Sequence, residues 1–222
     1  MGFAERANAH FGTVPMNLPS TNNVLRVYAK ASVLQHEQGV KWYVRERDYG
    51  RALADTHWRK GSPRTLDHAI GIMAALSPMV PWDYAKQLAL QCYRERGLRG
   101  GHFGQFVSKA NLIYEGADPR DILGGPKVRS FYQALSSAGT DPDVVVVDRH
   151  AAHVAMGDVL DDRERSNLLR QTISRDGYQE VSNAYRRAAR ELGDENGVSL
   201  TPSQLQAIVW VTWRAWLLGE EY

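Results

Sequence analysis

Apolar residues recur along most of this chain at steps of three and four, the period of a helix that buries one face. Val24, Val27, Tyr28, Ala31 and Leu34 form one such stripe from Thr21 onward. Trp42, Tyr43 and Leu53 mark a second helix over about Val40 to Thr56, with Arg45, Arg47 and Arg51 facing outward. Ser62 and Pro63 read as the cap and first position of a third, lined by Leu66, Ala69, Ile70 and Met73 and closed at Ser77-Pro78. Pro78 and Pro81 then force an irregular connection to the next apolar helix. Further on, Phe103, Phe106, Val107, Ala110, Ile113 and Tyr114 share one face, and Asp118-Pro119 opens a short helix. Val128, Phe131, Tyr132 and Leu135 line the helix that starts after Gly124-Gly125. Met1 to Ser20 shows no period.

Two segments depart from the amphipathic pattern. Val144 to Val147 is a continuous β-branched run after a turn cluster; it must be buried, and strand is expected there or nowhere. The last helix, capped at Thr201-Pro202, is apolar nearly all round: Leu205, Ile208, Val209, Trp210, Val211, Trp213, Trp216 and Leu217. Such a helix belongs at the centre of the packing, where Gln206 and Arg214 need partners. Between these segments lies a charged stretch, Asp158 to Arg165, with Ser166 offering a cap. Then comes an amphipathic helix with Tyr178, Val181, Tyr185, Ala188 and Leu192 on one side and Arg186, Arg187 and Arg190 on the other. The fold class is all-α. After an irregular segment 1–20, residues 21–222 read as one helical unit of two interlocked subdomains.

Composition narrows the setting. The chain has 222 residues, 43% hydrophobic and 23% charged, enough for one large domain or two small ones sharing a core. A formal charge of +2 does not by itself demand a nucleic-acid partner. The single Cys92 rules out a disulfide framework and a cysteine-held iron–sulfur cluster. No apolar run approaches membrane-spanning length, and the first residues lack a signal-peptide core. A soluble, intracellular protein without membrane contact is expected.

The chemistry concentrates between Ile122 and Ala155. Gly124 and Gly125 permit a tight turn with uncovered N–H groups, Pro126 suits the first helical position, and Lys127 and Arg129 follow at the positive end of that helix. This is a ready-made phosphate site. The valine run then delivers Asp148 from the core to the head of another helix, where a carboxylate caps well. His150 either orients Asp148, touches a phosphate or bonds locally. His153, one turn on, shares its face; without further ligands nearby in sequence the pair is not read as a metal site.

Gly125-Pro126-Lys127 and Val147-Asp148-Arg149-His150, in this order and with a helix between, resemble the motifs of the helix-hairpin-helix DNA glycosylase superfamily. The string from Asp148 to Ala155 is most similar to its 8-oxoguanine glycosylase branch, and a viral glycosylase-like member would also fit. The resemblance covers roughly Leu66 to Ala155. Leu123 stands where the superfamily hairpin usually has its first glycine, and Pro78 where many relatives keep a glutamine.

The resemblance implies a base-excision glycosylase acting on double-stranded DNA with a damaged or modified base. Asp148 would stabilise the positive charge that builds on the sugar. Lys127 would be the Schiff-base nucleophile of an abasic-site lyase, and the helix start and Arg129 both oppose a charge on its amine. Gly124, Gly125, Val128, Arg129, His150 and Lys109 would contact DNA, and Trp82 and Phe103 would line the pocket for an extruded base. No cofactor is expected, a monovalent cation at the hairpin being the one ion the resemblance allows. Two other functions share the pattern: a glycosylase-like transferase that modifies a thymine-derived base in viral DNA, and a helix-hairpin-helix DNA-binding module without catalysis.

Overall fold

The computed structural model of the protein describes residues 18–56, 65–170 and 176–218. Among them lie twelve helices: α1 (Thr21–Tyr28), α2 (Val33–Val40), α3 (Trp42–Thr56), α4 (Leu66–Leu76), α5 (Trp82–Glu95), α6 (Gly104–Tyr114), α7 (Pro119–Ile122), α8 (Pro126–Ser136), α9 (Arg149–Met156), α10 (Asp162–Leu168), α11 (Gly177–Asn196) and α12 (Pro202–Leu218). The fold is all-α. The described residues form two compact units, one within 1–43 and 139–222, the other within 44–138.

In the first unit the mainly apolar α12 is the central element, packed by α1, α2, α9 and α11. Its contact with α2 is close enough that a side chain at Gly39 would meet the Ile208 backbone at 2.4 Å, so glycine is required there by space rather than by conformation. Gln206, buried on this helix, accepts a hydrogen bond from the Tyr43 hydroxyl at 2.8 Å, and the Arg214 guanidinium lies 4.6 Å from the Trp210 ring centroid. Gln206 and Arg214 thus both have partners. Val24, Val27, Val154, Tyr185, Leu205, Val209 and Trp213 join α1, α9, α11 and α12 in one core.

The stripe from Thr21 does not run on to Leu34. α1 stops at Tyr28, and Ser32 starts a new helix with a capping box, its hydroxyl accepting from the Gln35 amide and its own amide donating to the Gln35 side chain. That local cap overrides the apolar spacing and leaves Leu34 exposed. Asp161, not Ser166, caps α10, again through a box with Glu164; Ser166 lies within the helix and donates to the Asp162 carbonyl. The cap expected at Ser62-Pro63 falls outside the described residues, and α4 starts from Thr65, whose side chain accepts from the His68 amide.

Val144 to Val147 are all buried, yet they belong to no strand. Three of their backbone groups pair with side chains instead, and the Val146 carbonyl accepts from the Asp148 amide at 3.2 Å. Ser203 donates to the Val144 carbonyl at 2.7 Å, while the Tyr178 hydroxyl donates to the Val145 carbonyl at 3.0 Å and accepts from the Val147 amide at 3.1 Å. Each buried valine contributes about 1.5–3 kcal/mol of transfer free energy, which holds the run in the core without a sheet to pair with.

In the second unit α4 is the central helix. Every residue from Ala69 to Leu76 is buried, and α5, α6, α7 and α8 pack around it. Ile70, Met73, Leu76, Leu88, Ile113, Leu123, Phe131 and Leu135 are among its buried apolar side chains.

Candidate functional site: a hairpin lysine and a helix-capping aspartate

The short α7, the turn Leu123-Gly124-Gly125 and α8 make a helix–turn–helix in the second unit. Leu123 has φ −74° and ψ 126°, ordinary extended backbone, and its side chain is buried. A glycine is therefore unnecessary at that position. Gly125 is different: at φ 80° and ψ 143° it occupies a region that side chains exclude, and it is the N-cap of α8. Three side chains fix this turn. Arg129 donates through Nε to the Leu123 carbonyl at 2.9 Å, the Tyr132 hydroxyl donates to Asp67, and Arg120 pairs with both Asp67 and Asp118, at 3.3 and 3.1 Å. Arg129 therefore holds the hairpin backbone, a role the sequence did not reveal. Lys109 places its amine against the half-buried Gly124, 3.4 Å from where a Cβ would stand. Val128 is half-buried.

Lys127, in the first turn of α8, points to the C-terminal end of α4. Its Nζ donates to the Ser77 hydroxyl at 3.2 Å and lies 5.2 Å from the Phe131 ring centroid. Trp82 stands edge-on to Phe131 at 5.1 Å, with the Lys86 amine 5.9 Å from the Trp82 ring. Lys86 is itself tied to Glu46 and Asp83 at 3.3 and 3.0 Å. In the connection between α4 and α5, Met79 adopts φ 61° and leaves its side chain 79% exposed. Phe103, the N-cap of α6, is 57% exposed beside His102 and Phe106. Cys92 is buried, and burial pushes its thiol up to about 12, so it is no nucleophile near neutral pH.

Asp148 lies in the first unit. It is the N-cap of α9, one carboxylate oxygen accepting from the Ala151 amide at 2.8 Å, and it is half-exposed. Among the described residues no lysine or arginine pairs with it. Its charge is felt by buried neighbours: together with burial, the dominant cause, it keeps the Tyr43 and Tyr185 phenols well above their ordinary range. Two residues on, His150 faces Trp210 at 6.5 Å and His153 at 6.1 Å, and Trp210 meets Trp42 at 6.0 Å. Trp42, His150, Trp210 and Arg214, all half-exposed, thus form an aromatic corner beside the helix that Asp148 caps. Trp210, expected in the core because its helix is apolar on every side, is only half-buried.

His153 is buried, and neither ring nitrogen has a hydrogen-bond partner among the described residues. Burial, with His150, Arg165 and Arg149, lowers its imidazole to about 4, against a small opposing pull from Asp148. Among the described residues no group of three or more histidine, cysteine or acidic side chains is placed to hold a metal ion, and no helix is long and apolar enough to cross a membrane.

The chain belongs to a family of unknown function, DUF7178, whose model matches residues 15–216. No curated protein and no solved structure matches it.

Proposed function

We propose that the protein acts on DNA bases as an N-glycosylase, with Lys127 able to carry the reaction on to strand cleavage. The observation that carries this reading is Asp148: a buried apolar run delivers a carboxylate to a helix N-terminus and leaves it without a cationic partner among the described residues. A purely structural cap needs no such support. In the reaction, the C1′–N bond breaks, the base leaves with the electron pair and takes up a proton, and positive charge spreads over C1′ and the ring oxygen. A fixed carboxylate lowers the energy of that charge. The Lys127 amine then bonds to C1′ and loses its proton as the sugar ring opens to an imine. β-Elimination from that imine passes a C2′ proton to water, forms the C2′–C3′ double bond and breaks the C3′–O bond, with the 3′ phosphate as leaving group.

Other parts of the molecule suit this chemistry. An extruded base needs π-faces to replace its stacking partners, and the corner of Trp42, His150 and Trp210 offers them; one such stack is worth about 1–3 kcal/mol. Met79 presents an apolar side chain on a backbone of positive φ, a form suited to filling the gap an extruded base leaves. Gly124, Gly125 and Lys109 supply N–H groups and charge for a phosphate.

Base release from duplexes carrying 8-oxoguanine, uracil or 5-hydroxymethyluracil tests the reading. Release that disappears in Asp148→Asn supports it. Binding without release, by the wild type on every duplex, would instead favour base-modifying transfer or a DNA-binding module.

A further inference from the structure

The loop 96–103 joins α5 to α6 in the second unit, and side chains of both helices hold it still. Leu98 is buried; its amide donates to the Asn111 side chain at 2.7 Å and its carbonyl accepts from the same side chain at 2.9 Å. The Tyr84 hydroxyl donates to the Gly101 carbonyl at 3.0 Å. A Cβ at Gly101 would meet the Leu88 side chain at 2.8 Å. A loop fixed in this way loses little further freedom when a ligand binds it.

Two kinds of group stand exposed on it. Arg96 and Arg99 are exposed, and neither guanidinium makes an ion pair or hydrogen bond among the described residues. Arg96 ends α5 at φ 64° and ψ 44°, the left-handed conformation. Glycine adopts it freely, whereas a side chain there costs about 1–2 kcal/mol. Phe103 is 57% exposed, with its ring centroid 5.7 Å from His102 and 6.2 Å from Phe106. His102 and Phe106 lie 4.8 Å apart, so Phe103 is the outward member of an aromatic cluster.

Unpaired guanidinium groups suit phosphates, and an exposed ring suits the face of a base. A duplex keeps those faces in its own stack, so the occupant must carry unpaired bases. An acidic peptide would satisfy the arginines but would leave Phe103 without a flat partner. We propose that loop 96–103 binds single-stranded DNA, with Phe103 stacking on an unpaired base and Arg96 and Arg99 meeting phosphates of the same strand. The choice of DNA rests on the base-excision reading, while the contacts need neither Lys127 nor Asp148.

Fluorescence anisotropy on the full chain tests this with labelled oligothymidine, oligouridine and an undamaged duplex. Phe103→Ala should weaken oligothymidine binding about tenfold and leave duplex affinity unchanged, and Phe103→Trp should keep the wild-type affinity for both. Arg96→Gly relaxes the end of α5, so a loss of binding there does not come from unfolding. Combined with Arg99→Ala, it should flatten the dependence of log affinity for oligothymidine on log salt by about 0.7 for each arginine. Oligothymidine affinity that ignores Phe103→Ala, an equal loss on the duplex, or an unchanged salt slope overturns the proposal. So does a wild type that binds no oligothymidine or binds oligouridine more tightly. If the single-strand results hold while no duplex releases a base, the loop still binds DNA and the base-excision reading is what fails.

Discussion

The Tyr178 hydroxyl bridges the backbone of the valine run, accepting from the Val147 amide at 3.1 Å while donating to the Val145 carbonyl at 3.0 Å. One side chain of α11 thus does for this segment what a neighbouring strand would do in a sheet. The segment ends at Asp148, so the carboxylate's position depends on a tyrosine thirty residues further along the chain.

Replacing Tyr178 with phenylalanine removes both bonds and leaves a buried N–H and a buried C=O unpaired. The expected loss is about 2–4 kcal/mol, read as a lower urea midpoint with an unchanged slope. A midpoint equal to wild type would show that water or a shifted backbone replaces the bridge.

His153 makes stability depend on pH. Its folded-state value of about 4 lies below the ordinary 6.5, so the unfolded chain binds the proton more readily. Stability from this group is complete above pH 6.5, falls as pH drops through the interval, and is fully lost below 4. The difference amounts to at most about 3 kcal/mol. Urea unfolding at pH 7.5 and 4.5 should show this fall in the wild type and a smaller one in His153→Leu. An equal fall in both would assign the pH dependence to other groups.

Gly124 and Gly125 should differ sharply in tolerance. An alanine at Gly125 must adopt φ 80°, at a cost of about 1–3 kcal/mol, and it should weaken duplex binding by distorting the start of α8. An alanine at Gly124 meets, among the described residues, only the flexible end of Lys109 and should change stability by less than about 1 kcal/mol. Thermal melts and a binding titration of the two variants decide this; equal effects would contradict the positive φ at Gly125 as the constraint on this turn.

Much of this architecture is written in the sequence where the signal is local. The buried face of α11 follows the spacing of Tyr178, Val181, Tyr185, Ala188 and Leu192, and Asp118, Thr201 and Asp148 act as the caps their positions suggest. What stayed hidden depends on contacts distant in sequence. The run at Val144 has strand composition, but its backbone partners are the side chains of Tyr178 and Ser203, which no local pattern announces. Ser32 and Asp161 start helices because a glutamine or glutamate three residues on completes a box; apolar spacing alone passed over both. The link from Lys127 to Ser77 spans fifty residues, and the exposure of Trp210 follows from which face of α12 its neighbours leave uncovered.

Trp210 is the aromatic side chain whose loss tests base recognition. The ring is half-buried against Trp42, His150 and Arg214, so the test uses conditions where Trp210→Ala remains folded by circular dichroism, and there base-dependent binding should weaken by about 1–3 kcal/mol. Comparing affinity for a duplex bearing an extrudable base with that for an undamaged duplex isolates the effect. An equal loss on both would remove Trp210 from base recognition.

The most direct measurement is borohydride trapping of the purified protein on a duplex with a single abasic site. A covalent adduct is expected in the wild type, through Lys127 by peptide mass spectrometry, and none in Lys127→Gln. No adduct in the wild type, or one that survives Lys127→Gln, would contradict the assignment of Lys127 as the nucleophile.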